Sequence, residues 1–175
     1  MRVDILSKDD AARVRACIRS PDVRLIWDIG TSTGLRISDI LALKACQLTK
    51  KDAYVREKKT KKLRRIYIRK PIREEVEKRI ASKRCREFDK LFGLSRSQAW
   101  RSIKDAARRA EVKTNVGTHT MRKTYAKAYA QKNGLGELQV RLNHDKMSDT
   151  IGYITSNADL GLDEKGYKKK RRKKK

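Results

Sequence analysis

The apolar positions of this chain change period twice. They recur at helical intervals over the first 44 residues, alternate through the next stretch, and return to helical spacing after Pro71. Ser7 is placed to cap a first helix running to about residue 19, with Asp9 and Asp10 in the opening turn, where carboxylates complement the helix dipole. Pro21 suits the first position of a second helix. That helix carries Val23, Ile26, Trp27 and Ile29 and stops at Gly34, a C-terminal glycine signal. A third helix is expected from Arg36 to about Lys44, with Ile37, Ile40, Leu41 and Leu43 able to face a core. An arginine at its head raises a question, since the rest of that segment is mostly apolar.

The alternating stretch comes next. "DAYVREKK" and "RRIYIRK" are rich in strand formers (Tyr54, Val55, Ile66, Tyr67 and Ile68), and "TKKL" lies between them, which predicts a β-hairpin or small sheet. Pro71 opens another helix, "PIREEVEKRIASKR", and Ser95 can cap "RSQAWRSIKDAARRA", where Trp100, Ile103, Ala107 and Ala110 are expected on one buried face. A loop, "EVKTNVGT", leads into a helix over "HTMRKTYAKAYAQK", in which Tyr125 and Tyr129 fall on the apolar side. "NGLGEL" breaks it, and short helices follow around 137–142 and 148–155. The fold class is therefore mainly α with a small antiparallel β-hairpin, an α+β arrangement. One domain is expected over 1–160, followed by a basic, disordered tail over 161–175.

Charge sharpens this picture. The chain has 175 residues, 38% of them hydrophobic, enough for one core. It carries a net charge of +26, and the run "KKKRRKKK" at its end supplies eight of the cations. Without that run, 39 basic side chains still outnumber the 21 acidic ones by 18, so the body itself is suited to a polyanion, most often nucleic acid. No apolar run approaches the ~18 residues of a membrane span, and the N-terminus lacks the apolar core of a signal peptide, so a soluble, cytoplasmic protein without a membrane partner is expected. Cys17, Cys46 and Cys85 are odd in number and far apart, which supports neither a disulfide framework nor a zinc site. "GTSTG" is a helix-ending turn rather than a phosphate cradle, because no G-K-[ST] follows.

The chain has two histidines, and both stand in suggestive company. His119 opens "HTMR", so Arg122 lies three positions on and shares its helix face. His144 lies in "RLNHDKMSDTIGYI", with Tyr153 nine residues later and Asn143, which tolerates left-handed geometry, just before it. Each motif is weak alone. In order, however, the chain gives G-L-R, a lysine-bearing hairpin, H-x-x-R, L-x-H and a tyrosine.

This series resembles the catalytic domain of the tyrosine recombinases, the phage integrase family, over roughly Ile5 to Ile154. "TGLRISDILALK" resembles the family's first box, with Arg36 as its arginine and Asp39 as its supporting acid. "HTMRKTYA" resembles the second, with His119 and Arg122. "LNHDKMSDTIGY" resembles the third, with His144 and the nucleophile Tyr153. The hairpin lysine best matches Lys59, with Lys58, Lys61 and Lys62 close by. The resemblance implies a site-specific recombinase that cuts and rejoins double-stranded DNA through a 3′-phosphotyrosyl link, without cofactor, metal or ATP. It also implies a homo-tetramer on synapsed DNA, weakly associated or monomeric without it. In this chemistry Arg36 and Arg122 grip the phosphate with forked, charge-assisted hydrogen bonds that a lysine could not offer. His119 is the expected base and Lys59 the expected acid, while His144 binds the phosphate.

Some positions depart from the family pattern. Asn143 stands where glycine is usual, Lys123 where many relatives have histidine, and "ACQL" replaces an aromatic-plus-acid pattern. Relatives usually carry a DNA-binding domain before the first box, whereas 35 residues precede Arg36 here. Either a single-domain member or a chain lacking its N-terminal half fits this. The alternative function is a shortened, weakly catalytic or non-catalytic DNA- or junction-binding relative.

Overall fold

Helix α2, Pro21–Thr33, is the apolar centre of the fold: Val23, Leu25, Ile26, Trp27 and Ile29 are all buried. In the computed structural model, which describes residues 4–82 and 84–151, the chain forms two compact units, one up to Thr124 and one from Tyr125 onward. In the first unit, α1 (Lys8–Cys17) packs on α5 (Arg96–Arg109), and α2 packs on α4 (Lys70–Ala81) and α5. The Ser7 cap forms as the sequence suggests, and a second serine, Ser20, caps α2. The side chain of Ser7 accepts from the Asp10 N–H and that of Ser20 from the Val23 N–H, which satisfies N–H groups with no partner inside the helix.

The hairpin is present as β1 (Asp52–Arg56) and β2 (Leu63–Tyr67), antiparallel, with Val55 opposite Arg64 and Ala53 opposite Ile66. Its alternation sends Ala53, Val55, Ile66 and Ile68 inward and leaves Tyr54, Leu63 and Tyr67 exposed. The second unit is smaller. Helix α6, Thr118–Asn133, begins in the first unit and continues into the second. There Tyr125, Ala126 and Ala130 form a small core with Leu135, Leu138 and Leu142. Tyr129 packs at its margin, 5.6 Å from Tyr125 between ring centroids. Helices α7 (Leu135–Arg141) and α8 (Met147–Ile151) pack on one another. Among the described residues no helix is long and apolar enough to cross a membrane. The basic tail lies outside the described residues.

Two expectations are corrected. The third helix is a single turn, α3 (Ile37–Ile40), and does not continue to Lys44. Past Leu41 the backbone finds other partners. Leu43 O accepts from Leu91 N (2.9 Å), Cys46 N donates to Glu87 O (2.8 Å), and Lys44 bridges to Lys90. Those long-range bonds compete with the next helical turn and win. Trp100 is 42% exposed instead of buried. The inner arc of α5 centres on Ala99, Ile103 and Ala106, which places the indole at the rim, with the Lys104 ammonium 4.8 Å from its ring centre.

Candidate active site

Gly34 ends α2 in the left-handed conformation (φ 67°), which glycine adopts without strain, and its N–H returns to Gly30 O. The chain is thereby turned so that Arg36, in extended conformation, caps the short α3. The Arg36 carbonyl accepts from the N–H groups of Asp39 and Ile40 at 2.9 and 3.0 Å, which fixes its backbone. Its guanidinium is not a loose end in solvent. Nη1 lies 2.9 Å from Oε2 of Glu57, and the side chain is 18% exposed.

Glu57 and Arg64 are the residues that sequence reasoning missed. Both follow the inward period of their strands, where an apolar side chain would be ordinary, and both are buried. Glu57 is 0% exposed. Its Oε1 lies 3.5 Å from Arg64 Nη1 and 3.8 Å from Arg122 Nη1, and its Oε2 also accepts from the Thr60 hydroxyl at 2.8 Å. Burial alone would push the Glu57 carboxyl up. The Thr60 hydrogen bond and the charges of Arg36, Arg122 and Arg64 outweigh it and hold the pKa below the usual carboxylate range. The signal available in the sequence was a pair of opposite charges continuing the inward period, Glu57 one residue past β1 and Arg64 on β2.

Arg122 comes to the same place from α6. It is fully buried, and its Nη1 donates to Gly34 O at 2.7 Å. Arg64 donates to Gly34 O at 3.5 Å and to Thr33 O. The C-terminal carbonyls of α2, left over by the helix, therefore hold two of the three guanidiniums at the negative end of its dipole. The approach of α6 depends on Gly30, because a Cβ there would lie 2.7 Å from Met121 Sδ and 3.0 Å from Met121 Cβ. Three arginines against one carboxylate leave a net charge of two positive on the four groups. A buried cluster with that excess is suited to an anion.

His119 sits one turn before Arg122 at the start of α6. By surface area the residue is exposed, at the edge of the buried cluster's charges. Desolvation, together with the nearby charges of Arg122, Lys123, Arg36 and Arg96, lowers its pKa from 6.5 to about 4. The imidazole is therefore neutral at neutral pH. Asp39, 1% exposed, accepts the Lys58 N–H at 2.9 Å and ties the helix start to the hairpin turn. Lys58, Lys59 and Thr60 form that turn, and both lysines are exposed.

Arg36, Lys59, His119 and Arg122 thus all belong to the first unit. His144 belongs to the second. It follows Asn143, whose φ of 53° is the left-handed turn expected of that residue, and its Nδ1 lies 3.1 Å from the buried Thr150 hydroxyl. Tyr153 lies outside the described residues.

The comparisons with known proteins agree with this architecture. The model of the Phage integrase family matches residues 12–159. A probable integrase/recombinase of Bacillus subtilis (strain 168), YoeC, is 36% identical over 148 residues, which cover 79% of this chain and 77% of that protein. The catalytic domain of bacteriophage HP1 integrase superposes with a TM-score of 0.69 at 25% identity, covering 88% of each chain. XerA recombinase superposes with a TM-score of 0.74 at 22% identity over 90% of this chain, which spans 60% of the XerA chain. The hairpin and arginine-bearing helix ends thus sit in a tyrosine recombinase catalytic fold, and the chain belongs to the phage integrase family of tyrosine recombinases.

Proposed function

We propose that this protein is a DNA strand transferase that uses Tyr153 as nucleophile and needs neither metal nor ATP. The observation that carries the reading is the convergence of Arg36 and Arg122, from separate elements, on one buried carboxylate with positive charge in excess. Attack on a phosphodiester builds negative charge on the non-bridging oxygens, and two fixed guanidiniums are suited to stabilise it. The Tyr153 oxygen bonds to phosphorus as the bond to the 5′-oxygen breaks, which leaves a 3′-phosphotyrosyl link and a 5′-hydroxyl. His119 takes the phenolic proton and Lys59 gives one to the leaving oxygen. The covalent link conserves the energy of the broken bond, so rejoining needs no nucleotide.

A histidine with a pKa of about 4 is a weak base for a phenol. The causes of that low value suggest the remedy. A bound phosphodiester brings negative charge to the same arginines that depress the imidazole, and so raises its basicity when substrate arrives. His144 hydrogen-bonds the phosphate. Strand exchange between two duplexes proceeds through a Holliday junction on a homo-tetramer, in service of integration, excision or inversion of a mobile element. The presence of all the family's boxes in one chain favours this enzyme over a non-catalytic DNA-binding relative.

The test is a covalent trap. The protein is incubated with randomly nicked fragments of its source genome, the reaction is stopped with detergent, and protein-linked DNA is recovered beside a Tyr153→Phe control. Adducts formed by the unaltered chain and lost in Tyr153→Phe, with DNA binding retained, are expected. Adducts that persist in Tyr153→Phe would assign the nucleophile elsewhere. Arg36→Ala should slow adduct formation by roughly 10²–10³, the scale of one lost oxyanion donor.

A further inference from the structure

We propose that Glu57 is a positioning residue of this site: its buried carboxylate sets both phosphate-gripping arginines and the lysine-bearing turn in one geometry before DNA binds. The inference rests on the strand-transfer reading above and goes beyond it, since the acid of the first box is Asp39 and Glu57 lies in the hairpin.

The two oxygens of Glu57 divide the work. Oε2 faces Arg36 at 2.9 Å and accepts from Thr60, and Oε1 faces Arg64 and Arg122. Its backbone closes the turn from the other side: Glu57 N donates to Lys62 O at 3.0 Å, and Lys61 N donates to Glu57 O at 2.9 Å. One residue therefore touches the arginine of the first box, the arginine of the second, and both ends of the loop that carries Lys58 and Lys59. Three guanidiniums gathered in a poorly hydrated place repel one another and would splay into other rotamers. A single carboxylate is enough to gather them. It is too little to neutralise them, so the attraction for a phosphate survives.

A plain core ion pair would stabilise the fold without affecting the bound chemistry, and kinetics separates the two roles. Glu57→Gln keeps the size of the side chain but removes its charge. On the nicked duplex recovered by the trap, its single-turnover cleavage rate at saturating protein should fall roughly 10- to 100-fold, the scale of groups that orient charged ligands. Its affinity for the same DNA should change by less than about threefold, because many phosphate contacts set affinity. Glu57→Asp, which restores the charge with shorter reach, should recover part of the saturated rate. Thr60→Val, a milder change that deletes one of the bonds at Oε2, should lower the rate several-fold, and it decides the matter if Glu57→Gln is unfolded at the assay temperature. Wild-type saturated rates in folded Glu57→Gln, or in Thr60→Val when Glu57→Gln does not fold, would overturn the proposal. A loss confined to DNA affinity would do the same. Absence of adduct with the unaltered chain would instead overturn the strand-transfer reading on which the proposal stands.

Discussion

The arginine cluster and the segment carrying His144 are built on opposite plans. Around Glu57, three cations are held by charge and by helix-end carbonyls in a unit with a large apolar core. Around His144, among the described residues, a hydroxyl contact and a short helix pair rest on a core of six residues, three of them on α6, while Val140 is 75% exposed. The first plan fixes geometry at the cost of desolvating charge. Among the described residues, the second leaves few buried contacts to oppose local opening. The groups proposed to stabilise the transition state are thus the ones held most firmly. The described part of the third box, with His144, lies in the second unit.

Substitutions should measure that contrast. Glu57→Ala should be the most damaging, costing about 3–5 kcal/mol in urea unfolding, because it strands buried guanidiniums without their partner. A cost under 1 kcal/mol would mean that the helix-end carbonyls hold the cluster alone. Gly30→Ala comes next, at roughly 1–3 kcal/mol, since the Cβ of Met121 has little room to retreat. Thr150→Val, which removes the hydroxyl facing His144, should cost about 1 kcal/mol, and its effect should be confined to hydrogen exchange in α7 and α8.

Acid should separate the charged groups by order. His119 has a folded pKa near 4 against its ordinary 6.5, so between these values the unfolded chain takes up a proton that the native one refuses. Stability therefore declines as pH falls from 6.5 to 4, and less so in His119→Gln. Glu57, depressed below the ordinary carboxylate value of 4.5, contributes fully above that pH and loses its contribution as pH falls through its lower folded pKa. Unfolding midpoints across this range should show the first slope in the unaltered chain and the second in both.

Local signals made much of this legible in the sequence. The Ser7 and Ser95 caps, Gly34, the left-handed Asn143 and the hairpin each depend on residues within a few positions, and each appears as expected. The short α3 was not legible, because the competing hydrogen bonds come from 87–91. The inward Glu57 was hidden for another reason. Next to four lysines in 58–62 it reads as one more charge on a solvated turn, and only the strand's alternation marks it as an interior position. The boxes pointed to Arg36 and Arg122, which the structure brings together, but not to the carboxylate on which they meet.

The Gly34 carbonyl, seat of both Arg64 and Arg122, has a consequence for how this region can vary. Gly34, Glu57 and Arg64 constrain one another through that knot, so in a saturation mutagenesis library they should behave as a single intolerant block. Lys58 and Lys62, exposed on the same loop, should accept many replacements. A hairpin transplanted from a relative would then succeed only when the end of its own second helix is carried with it.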